Sequence, residues 1–357
     1  MIDNRSSERQ GKIIAVLSGK GGSGKTMIVA VMANILSERK QTVIIVDADT
    51  GTAGMTYYLG LRLVSNIRVG LSNVARHFMS KGENFLVTPF LQSVRDSQGV
   101  MFFGIGDHRQ LEKEAPESEM PSILKRVLLG LGNGDWLIVD CRGGIDKESL
   151  AVCATADDIL LISETDTTSF QATKHVVDVL SDNDLAHKLR GFIINKVFDD
   201  PSVLINQGTS VYGTQFLSAI PFDLNATRSF LLGEIPTWHT AFGRHVAAAL
   251  SRAYPSTVPE PPGVWAPEDF REVGLTNLDS IRGGMFLALL ILTLGILLLS
   301  RFFTTGGFRD VMLSSGIIYY VFALLMLGLF GAVEGTRRAI GRIISSYIRL
   351  LSRIFLK

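Results

Sequence analysis

The chain has 357 residues, enough for one large domain or two modest ones with a buried core. Hydrophobic residues make up 46% and charged residues 19%, which excludes intrinsic disorder as the main state. The formal net charge of +1 hides two opposite parts, because residues 281–357 carry +7 and the rest of the chain carries −6. An acidic body argues against a protein that coats nucleic acid, since Lys and Arg must neutralise the phosphates in such binding.

The N-terminal residues 1–10 are polar and predict an arm without a cleavable signal peptide. The two cysteines, Cys141 and Cys153, have no CxxC spacing and no neighbouring histidine cluster. The sequence therefore predicts neither a disulfide framework nor a zinc site, and the body is expected to face the cytosol.

Residues 11–253 predict a doubly wound α/β domain with a mostly parallel sheet. Short runs rich in Val and Ile alternate with longer amphipathic runs, and their lack of polar alternation indicates strands buried on both faces. The predicted strands contain KIIAVLS, QTVIIVDAD, DWLIVDC, DDILLISET and LRGFIINKV. The run MIVAVMANILSERK predicts the first helix.

The segment after the first predicted strand, residues 18–26, reads SGKGGSGKT and satisfies the pattern GxxxxGK[ST]. Glycines in such a loop let backbone N–H groups surround phosphates, and the following helix N-terminus adds positive potential. Lys25 is predicted to reach the β and γ phosphates, and Thr26 to ligate Mg²⁺. A glycine-rich turn without a ligand is the alternative. The predicted phosphate-binding residues are Gly21, Gly22, Ser23, Gly24, Lys25, Thr26 and Met27.

The loop contains a second lysine, Lys20, and its sequence KGGSGKT resembles the loop of the ParA/MinD family of deviant Walker A ATPases. The resemblance covers roughly residues 11–253. It implies ATP and Mg²⁺ as cofactors and a dimer closed around ATP, in which Lys20 touches the partner's nucleotide and acts in catalysis with Lys25. The family usually has a second Thr after GKT, whereas this chain has Met27, so one hydroxyl contact to phosphate is absent.

The second predicted strand ends in two carboxylates, Asp47 and Asp49. Carboxylates at the carboxyl end of a strand beside a phosphate loop are placed where a phosphate site needs them. By the same resemblance, Asp49 positions the attacking water and Asp47 supports the Mg²⁺ shell. Capping of the next turn is the alternative for Asp47. The chain reads DTGTA from Asp49, where the family commonly reads DPQGN.

A third apolar strand is predicted within residues 135–144, DWLIVDCRGG, and it ends in Asp140. A carboxylate there is predicted to hold Mg²⁺ through water. By resemblance, Gly144 belongs to a switch segment in which a backbone N–H senses the γ phosphate. Arg142 replaces the family's usual proline, and a solvated side chain is favoured over a contact with phosphate or a partner.

The strand predicted over residues 193–197, IINKV, bears on the choice of base. Guanine selection requires NKxD, but Phe198 stands where the Asp is needed, so GTP is disfavoured. By resemblance, Asn195, Pro221 and Asp223 surround adenine. A simple turn proline is an equally good interpretation of Pro221. A kinase is disfavoured because no C-terminal tyrosine cluster is present.

Residues 254–280 predict a proline-rich linker. Five of the eleven prolines fall between residues 255 and 267, and such spacing forbids a helix and favours an extended strut. The domain boundary is therefore expected here.

Residues 281–334 predict a transmembrane hairpin. The windows 283–300 and 311–333 contain 18 and 23 uncharged residues, and the connection between them is too short for a folded domain. A buried helical hairpin in a soluble core is the alternative.

The tail over residues 335–357 predicts a basic amphipathic helix that lies on anionic lipids. Its arginines recur at residues 338, 342, 349 and 353. The positive-inside bias places this end, and hence the body, in the cytoplasm beside the inner membrane. A helix docked on the body or on a second copy is the alternative.

Together these features predict a membrane-anchored ATP-dependent dimerisation switch with slow, Mg²⁺-dependent turnover. Its predicted role is to position or assemble a membrane machine for division, secretion or polysaccharide export, through an unidentified protein partner. One alternative is a structural membrane oligomer in which the nucleotide is architectural. DNA partitioning is a third interpretation, disfavoured by the acidic body.

Overall fold

The computed structural model describes residues 11–60, 62–63, 67–82, 84–95, 97–131, 134–198 and 200–261. Within these residues, eight strands form one sheet. The strands are β1 (Lys12–Ser18), β2 (Val43–Asp47), β3 (Gln92–Ser93), β4 (Val100–Phe103), β5 (Trp136–Gly143), β6 (Asp158–Glu164), β7 (Leu189–Val197) and β8 (Phe216–Pro221). Their order across the sheet is β3-β4-β2-β5-β1-β6-β7-β8. All neighbouring strands pair in parallel except the short edge strand β3, which runs antiparallel to β4.

The described α-helices connect these strands and cover both faces of the sheet. They are α1 (Lys25–Glu38), α2 (Gly54–Gly60), α3 (Leu71–Lys81), α4 (His108–Glu114), α5 (Met120–Gly130), α6 (Lys147–Thr155), α7 (Thr167–Asp182), α8 (Ser202–Tyr212), α9 (Leu224–Leu231) and α10 (Ala241–Ala253).

Two apolar clusters form the core, one on each face of the sheet. Successive residues of β1 point to opposite faces, so Ile13 and Leu17 join the cluster under α3 to α8, whereas Ile14 and Val16 join the cluster under α1, α2, α9 and α10. All four side chains are fully buried. Burial on both faces explains why the strand sequences are continuously apolar.

The structure confirms the predicted α/β fold with a mostly parallel sheet. The five predicted strands are β1, β2, β5, β6 and β7, and the predicted first helix is α1. Strands β3, β4 and β8 are not among the predicted ones, and the two residues of the antiparallel edge strand β3 are too few to show an alternating pattern.

The fold continues beyond residue 253, where the last described α-helix ends. Tyr254 and Val258 are 5% and 0% exposed and belong to the second apolar cluster. The first residues of the predicted linker therefore pack on the body. The arm 1–10, the rest of the linker, the hairpin and the tail lie outside the described residues. In the part of the chain that the structure describes, no helix is both long and apolar enough to cross a bilayer.

Lys188 closes the carboxyl end of α6. Its Nζ donates to the carbonyl oxygens of Cys153, Ala154 and Ala156 at 3.2, 2.7 and 2.8 Å. Because a cation at a helix C-terminus also offsets the helix dipole, Lys188→Met should lower the free energy of unfolding by about 1–2 kcal/mol. The measurement is urea unfolding of the purified protein at constant pH.

Lys174 supplies the matched control for this prediction. It forms an exposed i,i+4 pair with Asp178 on α7. Lys174→Met should change the free energy of unfolding by less than about 0.5 kcal/mol. Equal effects of the two substitutions would contradict a capping role for Lys188.

Candidate nucleotide-binding site

A cavity of about 570 Å³ opens at the carboxyl edge of the parallel sheet. The loop between β1 and α1, the loop after β2 and the end of β5 form one side, and the residues after β8 form the other. Its lining residues are Gly21, Gly22, Gly24, Lys25, Thr26, Met27, Asp49, Thr52, Gly54, Asp140, Cys141, Arg142, Gly143, Lys196, Phe222, Thr227 and Phe230. The carboxyl edge of a doubly wound sheet is where such folds bind ligands.

The loop after β1 wraps tightly because of one glycine. Gly24 precedes α1 in the left-handed conformation, with φ of +89°. A Cβ on Gly24 would lie 2.3 Å from Nδ2 of Asn195, which donates to the carbonyl of Ser23 at 2.8 Å. The last residues of β7 thus hold the loop in a shape that only glycine permits.

Lys25 is held in place by the end of β1. Its side chain is 7% exposed, and its Nζ donates to Oγ of Ser18 at 2.8 Å. The Ser18 hydroxyl in turn donates to the carbonyl of Lys20 at 2.7 Å. The ammonium is therefore oriented before any ligand arrives, at the wall of the cavity where phosphates are predicted to lie.

Thr26 and Asp140 form the candidate Mg²⁺ site. The Thr26 hydroxyl donates to Oδ2 of Asp140 at 2.7 Å, and both residues line the cavity. Oδ1 of Asp140 is buried and has no hydrogen-bond partner among the described residues. Burial raises the pKa of Asp140 to about 6, although Lys25 and Thr26 lower it. A hydroxyl and a carboxylate with an unsatisfied oxygen fit Mg²⁺, which binds few protein ligands and keeps several waters.

Asp47 lies behind the wall of this cavity. Its Oδ1 accepts from the backbone N–H of Asp49 at 3.0 Å, and its Oδ2 accepts from the N–H and the hydroxyl of Thr56, both at 2.7 Å. Burial and the neighbouring Asp140 raise the pKa of Asp47 to about 7. In the described structure Asp47 orders the loop after β2, and its contribution to the Mg²⁺ shell stays a prediction.

Asp49 lines the cavity, and it also shapes the turn after β2. Its Oδ1 accepts from the N–H groups of Gly51 and Thr52 at 3.2 and 3.0 Å, and its Oδ2 accepts from the Thr52 hydroxyl. The capping role considered for Asp47 therefore belongs to Asp49 as well. The carboxylate is held at the cavity wall, where the predicted attacking water would lie.

Lys20 pairs with carboxylates of its own chain. Its Nζ lies 2.7 Å from Oδ2 of Asp166 and 3.2 Å from Oε2 of Glu164, the last residue of β6. Lys196 shares Glu164 at 2.7 Å and also donates to the carbonyl of Gly22 at 2.6 Å. Pairing with Lys20 holds the pKa of the Asp166 carboxyl well below its usual range.

The end of β5 lies directly against the phosphate loop. A Cβ on Gly143 would come within 2.4 Å of the backbone nitrogen of Gly21. The next residue, Gly144, has a φ of +89°, and its N–H donates to the carbonyl of Ser18 at 2.9 Å. In this conformation the Gly144 amide is bonded to β1, so the predicted contact with a γ phosphate requires it to leave that carbonyl.

The three predicted adenine contacts have other roles in the described structure. Asn195 is buried and holds the phosphate loop. Asp223 caps α9 by accepting from two backbone N–H groups of that helix, and it also accepts from the N–H of Phe242. Pro221 is buried at the end of β8. None of the three lines the cavity, although each lies within two residues of a residue that does.

The side of the cavity formed by the residues after β8 is mainly apolar. Phe222, Thr227 and Phe230 form this wall, and the sequence analysis did not identify them. Met27 lines the same cavity and packs on the apolar cluster under α1. Phe222 could have been predicted from the sequence, because it directly follows the predicted base contact Pro221. Phe230 could not, because an aromatic residue on an amphipathic helix has the same pattern as an ordinary core residue.

Comparison with protein families matches residues 14–236 of the chain to the CobQ/CobB/MinD/ParA nucleotide binding domain. This match covers more than half of the chain and contains all the cavity residues described above.

Individual proteins with similar sequences include an uncharacterised ATP-binding protein of Methanocaldococcus jannaschii, 24% identical over 225 residues, or 62% of this chain and 78% of that protein. The septum site-determining protein MinD of Thermotoga maritima is 25% identical over 187 residues, or 52% of this chain and 64% of that protein. Among solved structures, MinD of Pyrococcus horikoshii in complex with Mg-ADP aligns with a TM-score of 0.56 at 21% identity. That alignment covers 68% of this chain and 96% of the archaeal chain.

The tight approach of Gly24 to Asn195 gives a stability prediction. Gly24→Ala should lower the free energy of unfolding by about 1–3 kcal/mol, because the new Cβ meets Asn195 and the residue has a positive φ. Thermal or urea unfolding without nucleotide measures the effect.

Gly21→Ala in the same loop is the control. A Cβ on Gly21 would meet nothing within 4 Å, so this substitution should stay within about 0.5 kcal/mol of the parent protein. A Gly24→Ala variant as stable as Gly21→Ala would show that Asn195 does not constrain the loop.

Proposed function

Because the chain belongs to the CobQ/CobB/MinD/ParA nucleotide-binding family, whose MinD/ParA members are ATPases, we propose that it is a membrane-anchored, ATP-dependent dimerisation switch. Family membership confirms the ParA/MinD resemblance of the phosphate loop. The observation that carries the proposal is the convergence of Lys25, Thr26, Asp49 and Asp140 on one cavity. Lys20 directly precedes the lining residue Gly21 in the same loop. The switch would position or assemble a membrane-associated machine.

The residues of the cavity divide the work on ATP. Lys25 and the backbone of the loop would hold the phosphates, while Thr26 and Asp140 would hold Mg²⁺. When bound, Mg²⁺ neutralises charge on the β and γ phosphates. Asp49 would orient the attacking water from the loop after β2, on the same side of the cavity. The Phe222 side of the cavity offers an apolar surface for the base.

Lys20 provides the proposed link between ATP and dimerisation. Its pairs with Asp166 and Glu164 are partly exposed, and ion pairs of this kind contribute only about 0–1 kcal/mol. The phosphates of a nucleotide on a second copy can therefore compete for the ammonium. Lys20 would leave its own carboxylates only when a partner presents ATP, which suits slow, switch-like turnover.

The membrane anchor follows from the sequence pattern of residues 281–357. Two predicted spans would hold the protein in the bilayer permanently, since no reversible membrane contact reaches that strength. Nucleotide would then control dimerisation or capture of a protein partner within the plane of the inner membrane, with the ATPase body and the basic tail on the cytoplasmic side.

A structural oligomer is the second candidate function, and Met27 favours it. The Met27 side chain at the cavity wall offers no hydroxyl to phosphate. In this alternative, bound nucleotide would hold an assembly together without a cycle of hydrolysis, and Asp49→Ala would leave assembly unchanged.

Light scattering of a fragment comprising residues 1–261 tests the switch. This boundary keeps Tyr254 and Val258, which pack in the core. With Asp49→Ala present to slow turnover, Mg-ATP should convert the fragment from monomer to dimer, whereas Mg-ADP should not.

Adding Lys20→Ala should abolish the ATP-dependent dimer while leaving the melting temperature nearly unchanged, because the pairs of Lys20 are partly exposed. Lys174→Ala is a matched control on the exposed face of α7 and should dimerise normally. If the fragment has the same mass with Mg-ATP and with Mg-ADP, ATP-driven dimerisation of the body is refuted.

Cysteine labelling tests the proposed membrane topology. The two natural cysteines, Cys141 and Cys153, are buried, at 2% and 0% exposure. Maleimide labelling therefore comes from the introduced cysteine. In intact cells a membrane-impermeant maleimide should label Thr305→Cys, between the predicted spans, but not Ser256→Cys. Labelling of Ser256→Cys after lysis is the control, and labelling of both or neither in intact cells would contradict the hairpin.

A further inference from the structure

Arg142 forms a wall shared by two cavities. One is the nucleotide cavity described above, and the second is a neighbouring cavity of about 770 Å³ beside α4 and α6. Arg142 is the residue that stands in place of the family's usual proline. A solvated side chain is the favoured sequence prediction there, and in the structure Arg142 is 53% exposed while it also lines the nucleotide cavity.

The backbone of Arg142 is fixed beside the phosphate loop. The adjacent Gly143 packs so closely on Gly21 that it has no room for a Cβ. Asp140, two residues earlier, accepts from the Thr26 hydroxyl and belongs to the candidate Mg²⁺ site. The backbone of Arg142 therefore lies between the candidate Mg²⁺ site at Asp140 and the phosphate loop at Gly21.

The guanidinium of Arg142 lies on the turn that carries Asp49. A Cβ built on Gly51 would be 3.1 Å from Cζ and 3.3 Å from both Nε and Nη2 of Arg142. The same turn places Asp49 and Thr52 in the nucleotide cavity. The guanidinium thus lies next to the turn from which the predicted attacking water would be oriented.

The Arg142 guanidinium forms only a long ion pair with the carboxylate of Asp146. Its Nη1 is 3.8 Å from Oδ2 of Asp146, and both side chains are partly exposed. By contrast, Lys20 and Lys196 lie within 2.7 Å of their nearest carboxylates. Since an exposed pair at this distance contributes little, a phosphate can draw the Arg142 side chain away from Asp146.

We propose that Arg142 contacts the γ phosphate of ATP bound to its own chain and so makes the site prefer ATP over ADP. This inference rests on the proposed function of the cavity. A guanidinium presents a planar fork of donors that matches phosphate oxygens, and such charge-assisted contacts are among the strongest hydrogen bonds. ADP lacks the γ phosphate and gains nothing from Arg142.

Equilibrium binding of two nucleotides to the full-length protein in a mild detergent tests this assignment. Mg-AMP-PNP and Mg-ADP are titrated at a protein concentration at which light scattering shows no dimer. Arg142→Ala should weaken AMP-PNP binding about tenfold and change ADP binding less than about twofold. Arg142→Gln, which keeps the length of the side chain, should show the same selective loss.

Asp146→Asn is the matched control. It removes the charge that faces the guanidinium but keeps an N-cap for α6, because Asn caps helices as well as Asp does. The preference for AMP-PNP should be retained or increased. If Asp146→Asn loses the preference as Arg142→Ala does, the ion pair itself is responsible and the phosphate contact is wrong.

The remaining outcomes separate this inference from the proposed function. Equal weakening of both nucleotides, or of neither, by Arg142→Ala and Arg142→Gln overturns the γ-phosphate contact while the nucleotide site stands. A selective loss that appears only when dimers form overturns the contact within one chain. Failure of the parent protein to bind either nucleotide refutes the proposed function itself.

Discussion

The burial of one parallel sheet on both faces is the constraint from which the site follows. Strands covered on both sides carry mainly apolar side chains in their middles, because an unsatisfied buried polar group is costly. Asp47 ends β2, Asp140 pairs with it in register on β5, and Asn195 lies two residues before the end of β7. All three are almost fully buried. The core therefore concentrates the polar chemistry of the body at one edge of the sheet.

The two buried carboxylates at this edge, Asp47 and Asp140, differ in how many hydrogen bonds they accept from the described residues. Asp47 receives three hydrogen bonds from the chain, so the protein itself satisfies it. Asp140 receives one bond, from Thr26, and its other oxygen has no partner among the described residues. The unsatisfied oxygen of Asp140, and not the completed Asp47, is therefore the carboxylate oxygen that fits the proposed Mg²⁺.

The sequence predicted the α/β fold and the strand–loop–helix unit at its first strand well, because both depend on local pattern. The strand–loop–helix unit around Lys25 and the strand that ends in Asp140 need only hydrophobic runs and a glycine spacing. The sequence could not predict the roles of Asn195 and Asp223, because these roles depend on which backbone groups lie within hydrogen-bond distance in the folded chain. Lys20 finds Asp166 across 146 positions of chain, and no local pattern encodes that pair.

Glu164 has a consequence for the mechanics of the phosphate loop. One carboxylate serves both Lys20 and Lys196, and Lys196 also grips the backbone of the loop at Gly22. If Lys20 leaves for a second copy, Glu164 keeps Lys196 as its close cationic partner among the described residues. Glu164 then attracts the Lys196 ammonium more strongly, and this attraction competes with the hydrogen bond from Lys196 to the carbonyl of Gly22. In the proposed dimer, the stiffness of the loop around one nucleotide would in this way depend on the position of a lysine that contacts the other.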